Sequence, residues 1–234
     1  MFLKLEDKIK IYQAKPALRE IYKQWYEKIS LYLKPGKTLE IGSDMCLVKK
    51  YLPEVITSDI KEYGLSDIMQ DACNLTLPTD SLDNIIGIDI LHHLIDYKNF
   101  FRGSLRVLNS GGRIIFIEPH VSIFSYLVRK LFHREKISFK YLNKSHSHPD
   151  EANTALPTML FKDQKNYFFD KKFKIVLIKK MDIVTYLLSG GYNKINLVPK
   201  FMIKPVFKIN SFLEKFDFLL KYFSFKMLIV LEKI

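Results

Sequence analysis

Two carboxylates flank a glycine in the first quarter of this 234-residue chain. Glu40 lies in the apolar segment 38–41, directly before Gly42, and Asp59 follows a second short apolar segment at 54–58. A glycine at such a position lets the backbone turn sharply and lets a ligand approach the main chain closely. A carboxylate only accepts hydrogen bonds, so Asp59 suits the two hydroxyl donors of a ribose. The spacing predicts a nucleoside-binding turn between two strands.

Two classes of cofactor use this layout. A nicotinamide dinucleotide requires the pattern G-x-G-x-x-G, so that the backbone can pack against a pyrophosphate. Here Asp44 and Cys46 stand two and four positions after Gly42, and a carboxylate at Asp44 would repel a pyrophosphate. S-adenosylmethionine has no phosphate and carries positive charge, so the acids near the turn favour this adenosyl cofactor.

Strands and helices are predicted to alternate around the turn. Helical spacing of apolar residues predicts helices at 16–33, 97–108, 120–132 and 205–223, and a further helix is expected from Met45 towards Tyr51. Strands are predicted at 38–41, 54–58, 68–70, 84–90, 113–117, 173–180 and 227–232, with a glycine turn at 109–112. The alternation between residues 38 and 117 indicates an α/β fold, a parallel sheet with helices on both faces.

A set of short motifs follows in a fixed order along the chain. They are Leu39-Glu40-Ile41-Gly42-Ser43, Asp59, Asp71-Ala72, Ser81-Leu82-Asp83, Leu91-His92-His93-Leu94 and Gly111-Gly112-Arg113. The ordered set resembles the class I S-adenosylmethionine-dependent methyltransferases, and more narrowly the small bacterial methyltransferases found among cell-surface polysaccharide genes. This resemblance implies a Rossmann-like, seven-stranded, mostly parallel sheet whose last strand is antiparallel. It also implies a single domain over 1–234, with a cofactor-binding half at 16–120 and a substrate-side insertion and closing strands at 121–234.

The same resemblance assigns a cofactor site. Its residues would be Glu40, Gly42, Ser43, Asp59, Ile60, Asp71, Ala72 and Leu91. The first three would line the methionine end, Asp59 would hold the ribose, and Ile60, Asp71 and Ala72 would meet the adenine. Leu91, together with Ile90, would lie beneath the cofactor. The chain departs from the family pattern E-x-G-x-G-x-G at Asp44 and Cys46.

The sequence leaves the catalytic residues unassigned. Transfer to a hydroxyl or an amine is helped by a base, and His92, His93 and His120 each follow a predicted strand beside the cofactor cleft. Each of them can equally pack in the core or bond to backbone. His146 and His148 lie in a polar segment with no cluster of partner ligands, so no metal site is predicted.

The positive charge is confined to the second half of the chain. Residues 1–119 hold 16 basic and 16 acidic side chains, and residues 120–234 hold 21 basic and 9 acidic ones, which gives the net charge of +12. A basic surface can attract nucleic acid, anionic lipid or an acidic glycan, and a solvated lysine face is the plainer alternative. The aromatic, lysine-bearing segment 205–223 is predicted to cover the sheet, with peripheral membrane contact as the alternative.

Composition points to a reducing compartment. Two cysteines give no disulfide framework, and neither a signal peptide nor an apolar run long enough to span a bilayer is present in the sequence. A cytoplasmic protein is therefore expected. The leading interpretation is methyl transfer from S-adenosylmethionine to a small-molecule or glycan acceptor, at oxygen. A nucleic-acid methyltransferase and a non-catalytic relative remain as alternatives, although no Asp/Asn-Pro-Pro-aromatic motif follows the fourth strand.

Overall fold

A computed structural model describes residues 4–61, 64–132, 136–139, 152–163, 166–192 and 197–234. His146 and His148 lie outside these ranges. The helices are α1 (Leu5–Ala14), α2 (Pro16–Ser30), α3 (Tyr97–Val107), α4 (Ile123–Phe132), α5 (Leu156–Phe161), α6 (Thr185–Ser189), α7 (Ile203–Leu213) and α8 (Asp217–Phe223). Helix α2 begins at Pro16, a residue whose fixed φ suits the first turn of a helix.

Eight strands form one sheet in the order β3-β2-β1-β4-β5-β8-β7-β6. They are β1 (Thr38–Ile41), β2 (Ile56–Asp59), β3 (Ile68–Met69), β4 (Leu82–Ile88), β5 (Leu108–Pro119), β6 (Tyr167–Phe168), β7 (Phe173–Met181) and β8 (Lys226–Lys233). Strands β1 to β5 pair in parallel, whereas β8 is antiparallel to both β5 and β7. The carboxyl ends of β1, β2, β4 and β5 therefore meet at one edge of the sheet, and the amino end of β8 joins them.

Apolar layers cover both faces of the sheet. On one face α2 buries Ile21, Trp25 and Ile29 against the sheet, and on the other α3 buries Phe100 and Phe101. Strands with helices on both faces are buried on both sides, which explains why β4 and β5 read as nearly continuous apolar runs. This arrangement holds the strand ends at the shared edge in fixed positions.

The predicted α/β class, with its mostly parallel sheet and antiparallel last strand, is confirmed. The sheet has eight strands instead of seven, because the short strand β6 adds to the edge beside β7. The helix expected after Gly42 is wrong in extent, since a single 3-10 turn at Leu47–Lys50 stands there. The turn predicted at 109–112 lies within the bounds of β5, where Gly111 has a φ of +73°.

The helix predicted at 205–223 is divided into α7 and α8, and most of its aromatic side chains do not cover the sheet. Leu220 is buried, whereas Phe212, Phe216 and Phe223 are exposed by 57, 40 and 38%. The prediction that this stripe faces the core is therefore wrong for the three phenylalanines. Within the described ranges, no helix has the length and apolar character needed to cross a bilayer.

Candidate active site

Glu40 is a buried carboxylate at the carboxyl end of β1. The Tyr26 hydroxyl on α2 donates a hydrogen bond to its Oε1 over 2.8 Å, while its Oε2 is buried and has no hydrogen-bond partner among the residues that the structure describes. Burial raises the pKa of Glu40 to about 7, although the hydrogen bond from Tyr26 acts in the opposite direction. A buried acceptor without a donor is costly in a folded protein. Glu40 is thus suited to bind a cationic donor, such as the amino group of S-adenosylmethionine.

The loop after β1 keeps the backbone of a glycine-rich turn although two of its positions are not glycine. Gly42, Asp44 and Cys46 all have positive φ values, of 61°, 44° and 51°. A Cβ on Gly42 would lie 2.4 Å from Cδ1 of Ile90, so only glycine fits there. The side chain of Asp44 forms an ion pair of 2.8 Å with Lys8 on α1.

Asp59 and Ser43 fix this loop against the end of β2. The two carboxylate oxygens of Asp59 accept hydrogen bonds from the backbone amides of Asp44, at 2.9 Å, and Lys61, at 3.0 Å. Each oxygen has a second lone pair, so the carboxylate can still accept from a ribose. The buried Ser43 hydroxyl donates to the Glu40 carbonyl and accepts from the Ser58 amide. Ser43 therefore holds the ends of β1 and β2 together.

The other four predicted cofactor residues lie along the neighbouring loops in two kinds of environment. Ile60 is 49% exposed directly after β2, and Asp71 is exposed, its carboxylate accepting from the Cys73 amide at 2.8 Å. Ala72 and Leu91 are buried in the core beneath the strand ends. The structure thus places Ile60 and Asp71 where their side chains can meet a ligand, and Leu91 where its side chain forms part of the floor. Ile90, next to Leu91, contacts Gly42 directly.

An ion pair between a partly exposed carboxylate and a buried lysine lies at the carboxyl end of β4. Asp89, with a φ of +55°, accepts from the ammonium of Lys226 on β8, which is 1% exposed. That ammonium lies 4.8 Å from the Trp25 ring and 4.7 Å from the Tyr186 ring. Burial acts to raise the pKa of Asp89, but the Lys226 charge outweighs it, so this pKa lies below its ordinary value.

Two of the three candidate histidines, His92 and His120, each bond to a side chain from another segment, and the His93 ring lies 4.2 Å from that of His92. Glu118, fully buried at the end of β5, accepts from the amides of Ile90 and Leu91 through Oε1, and its Oε2 lies 2.7 Å from Nδ1 of His92. A carboxylate accepts hydrogen bonds, so Nδ1 of His92 is the donor to Glu118. Ligand atoms of Asp89, His92 and Glu118 also lie within 4.8 Å of one another, but the Lys226 ammonium already neutralises Asp89, which disfavours a second cation.

His120, at the end of β5, is held as a neutral imidazole. Its Nδ1 lies 2.7 Å from Oγ of Ser224, whose hydroxyl donates to the Leu220 carbonyl. Nδ1 of His120 therefore donates to Ser224, which leaves Nε2 as the acceptor. Burial, with the nearby charges of Lys180 and Arg129, lowers the pKa of His120 to about 4. Such a histidine is a weak base at neutral pH.

Sequence reasoning missed the partners that come from distant segments. Tyr26 and Lys8 stand on helices whose sequences carry no signal for a contact with the Gly42 loop. The sequence holds a weak signal for Lys226, which is a lysine directly before the apolar run Met227–Leu231. The structure buries this position. Glu118 carried a similar one, as an acid directly after an apolar strand.

Comparison with known proteins gives one family and one fold. Residues 42–116 match the family described as "Methyltransferase domain", and no curated protein sequence matches the chain. The structure of a SAM-dependent methyltransferase from Archaeoglobus fulgidus shares 20% identity at a TM-score of 0.53, covering 92% of this chain and 94% of that one. One from Mesorhizobium loti shares 16% identity at a TM-score of 0.47, covering 90% and 98%. At this identity the likeness to the Archaeoglobus fulgidus structure establishes the fold alone. The family match over residues 42–116 agrees with the methyltransferase resemblance predicted from the sequence.

Proposed function

We propose that this chain is a class I S-adenosylmethionine-dependent methyltransferase, supported by the family match over residues 42–116 and by the fold, and that it methylates a hydroxyl group of a small-molecule or glycan acceptor. The observation that carries the cofactor assignment is the buried Glu40 Oε2 without a partner, at the strand end beside Asp59. S-adenosylmethionine supplies the activated methyl group. The proposal extends to a single domain over 1–234, in which 16–120 binds the cofactor and 121–234 forms the acceptor side.

The cofactor residues take distinct parts in this proposal. Glu40 pairs with the cationic amino group, Gly42 allows close approach of the backbone, and Asp59 accepts from the ribose hydroxyls. Ser43 shapes the turn by joining the ends of β1 and β2. Ile60, Asp71 and Ala72 border the adenine, and Leu91 supports the floor. These residues hold the methyl group in line with the acceptor and exclude water, which is most of what this displacement requires of a protein.

The proton of the acceptor hydroxyl goes to His92 in this proposal. Glu118 orients the His92 ring and stabilises its protonated form, as a buried carboxylate does for a catalytic histidine. His120 is the weaker candidate, because its pKa is about 4. A hydroxyl acceptor loses its proton during or after the displacement, so a base at the strand edge raises the rate.

Two features of the sequence support the alternative functions, a nucleic-acid methyltransferase and a non-catalytic relative. The excess of positive charge in residues 120–234 favours nucleic acid as an acceptor, and the side chains at Asp44 and Cys46 favour a non-catalytic relative. Cytoplasmic location is part of our proposal, supported by the two free thiols of Cys46 and Cys73.

Calorimetric titration of the full chain with S-adenosylmethionine tests the cofactor site. We expect saturable binding that weakens at least tenfold in Glu40→Gln, because a charged hydrogen bond is lost. Absence of binding up to millimolar cofactor, or an unchanged affinity in the variant, contradicts the proposal. Transfer of a labelled methyl group into a host extract then separates the alternatives. A product resistant to nucleases favours the glycan or small-molecule acceptor, a nuclease-sensitive product favours nucleic acid, and no product despite binding favours the non-catalytic relative.

A further inference from the structure

A set of large apolar side chains is exposed on α4 and around the corner between α7 and α8. This apolar face consists of Ile123, Leu127, Leu131, Phe212, Phe216 and Phe218, each of which is between 40 and 76% exposed. The first three are four residues apart along α4, so they share one side of that helix. Single exposed apolar residues are ordinary, but contiguous groups of them mark interaction sites.

Ring contacts join the phenylalanines at the corner between α7 and α8, and a separate ring pair joins α8 to α4. The Phe212 and Phe216 rings lie 5.3 Å apart, and Phe216 lies 6.2 Å from Phe218. At the other end of α8, Phe223 lies 5.4 Å from Phe124 of α4. Helices α4 and α8 also bury their other sides against the same part of the sheet. Arg129 donates to the Phe225 carbonyl, and Ser224 bonds to His120. Their exposed sides therefore point away from a common support.

The border of the apolar face is strongly basic. Five exposed lysines lie in or beside α7 and α8, namely Lys200, Lys204, Lys208, Lys215 and Lys221. Asp217 is the exposed acid of this segment, because Glu214 is directed inward and accepts from the Asp182 amide and from Asn210. Apolar side chains bordered by lysines are complementary to a surface of acyl chains and anionic headgroups.

We propose that the apolar face docks on the surface of an anionic lipid bilayer. Single-stranded nucleic acid is a poorer fit, because Ile123, Leu127 and Leu131 cannot stack on bases as aromatic rings do. A second copy of the chain is also a poorer fit, because pairing like faces would bring their lysines together. Helix α4 begins three residues after His120, and α8 ends three residues before β8, so docking brings the acceptor edge of the sheet towards the lipid.

Vesicle sedimentation of the full chain tests this proposal without any need for methyl transfer. We expect the protein to pellet with phosphatidylcholine vesicles that contain about one third phosphatidylglycerol, and to stay in solution with phosphatidylcholine alone. The double variant Phe212→Ser/Phe218→Ser, which removes apolar area, should lower the partition coefficient at least tenfold. Lys215→Glu/Lys221→Glu should lower it by a similar factor, and raised salt should release the wild type.

A matched control makes the same kinds of change elsewhere. Leu31 is 77% exposed and Lys10 is exposed on α1, so Leu31→Ser/Lys10→Glu should pellet like the wild type. All changed side chains are at the surface, and circular dichroism confirms that each variant is folded. The proposal is overturned if wild type and face variants partition alike, if the control loses binding equally, or if the wild type stays in solution with both vesicles. A concentration-dependent dimer that the phenylalanine variant abolishes, without vesicle binding, also overturns it and assigns the face to self-association.

Discussion

The hydroxyl of Tyr26 satisfies one oxygen of the Glu40 carboxylate at 2.8 Å and leaves the other buried without a donor. Helix α2 thus completes only half of the site at the end of β1. The second oxygen, Oε2, can bind a cationic donor. Until a ligand supplies that donor, its burial lowers the stability of the folded protein.

The pKa of Glu40, raised to about 7 by burial, predicts a pH-dependent affinity for S-adenosylmethionine. Glu40 must be ionised to bind the cofactor's amino group. Affinity should therefore rise up to tenfold per pH unit as the pH approaches 7, and level off above it. Glu40→Gln should bind weakly and lose this dependence, and calorimetry from about pH 5.5 to 7.5 measures both. A wild-type profile that is flat across this range contradicts the assignment.

The raised pKa of Glu40 also makes the free energy of unfolding depend on pH. This free energy falls as the pH rises, whereas the cofactor affinity increases. The folded-state pKa lies above that of an exposed glutamate, so the folded protein holds this proton more tightly. Its stabilising contribution is complete below the unfolded pKa and is lost as the pH rises through about 7. Denaturant titrations of wild type and Glu40→Gln, compared across the same range, should therefore diverge as the pH rises. A difference in unfolding free energy that stays the same at every pH would show that the pKa of Glu40 is not raised.

Replacement of Gly42 should weaken cofactor binding. An added Cβ would be 2.4 Å from Ile90, at a φ of +61° that L side chains rarely adopt. We expect Gly42→Ala to weaken binding of S-adenosylmethionine by more than tenfold, because the loop must shift. Gly64 is the matched control, since its φ is +69° but none of the described residues lies within 4 Å of an added Cβ. Equal losses of cofactor affinity in the Gly42 and Gly64 variants would show that backbone strain, and not the contact with Ile90, weakens binding.

Cys46 stores backbone strain that glycine would relieve. It has left-handed φ and ψ of 51° and 38°, a conformation that costs an L-residue about 1–2 kcal/mol. Cys46→Gly should therefore stabilise the protein by about 0.5–1 kcal/mol after the entropy of the unfolded glycine is subtracted. Cys73→Gly, within a 3-10 turn, should destabilise it. Thermal unfolding of both variants measures the difference, and destabilisation by both contradicts the interpretation.

The Glu118–His92 pair predicts which histidine assists catalysis. His92→Gln should lower the rate of methyl transfer about 100-fold with little change in cofactor affinity, because a base is lost. His120→Gln should cost less, since the pKa of His120 is about 4 and its basicity is low. Transfer from labelled cofactor gives the rates, and calorimetry gives the affinities. A larger loss at His120 would reverse the assignment.

Removal of Lys226 should leave Asp89 without its partner. Breaking a fully buried ion pair from one side costs about 3 kcal/mol, and Lys226→Met should cost less than this, because the Asp89 side chain is 31% exposed and water can solvate it. The double variant Asp89→Asn/Lys226→Met should recover much of the loss, because no charge remains. Equilibrium unfolding in urea measures the three free energies. A double variant that is less stable than Lys226→Met would show that the pair is not the source of the loss.

The sequence by itself determined the sheet and the strand ends. The apolar runs from Thr38 to Ile41 and from Asn84 to Ile90 predict buried parallel strands, and a glycine between Glu40 and Asp59 predicts where a ligand approaches. These features are local, since they depend on residue type and spacing along one segment. The same locality explains the error at 205–223, where helical periodicity is real but cannot show which side faces the sheet.

Only the tertiary structure decided the surroundings of those residues. Tyr26 meets Glu40, Lys8 meets Asp44, and Lys226 meets Asp89 over separations of 14, 36 and 137 residues. Such contacts arise when helices α1 and α2 and the last strand pack against the sheet, and no periodicity within one segment encodes them. Burial then sets the charge behaviour of Glu40, because the loss of water around the carboxylate depends on everything packed over it.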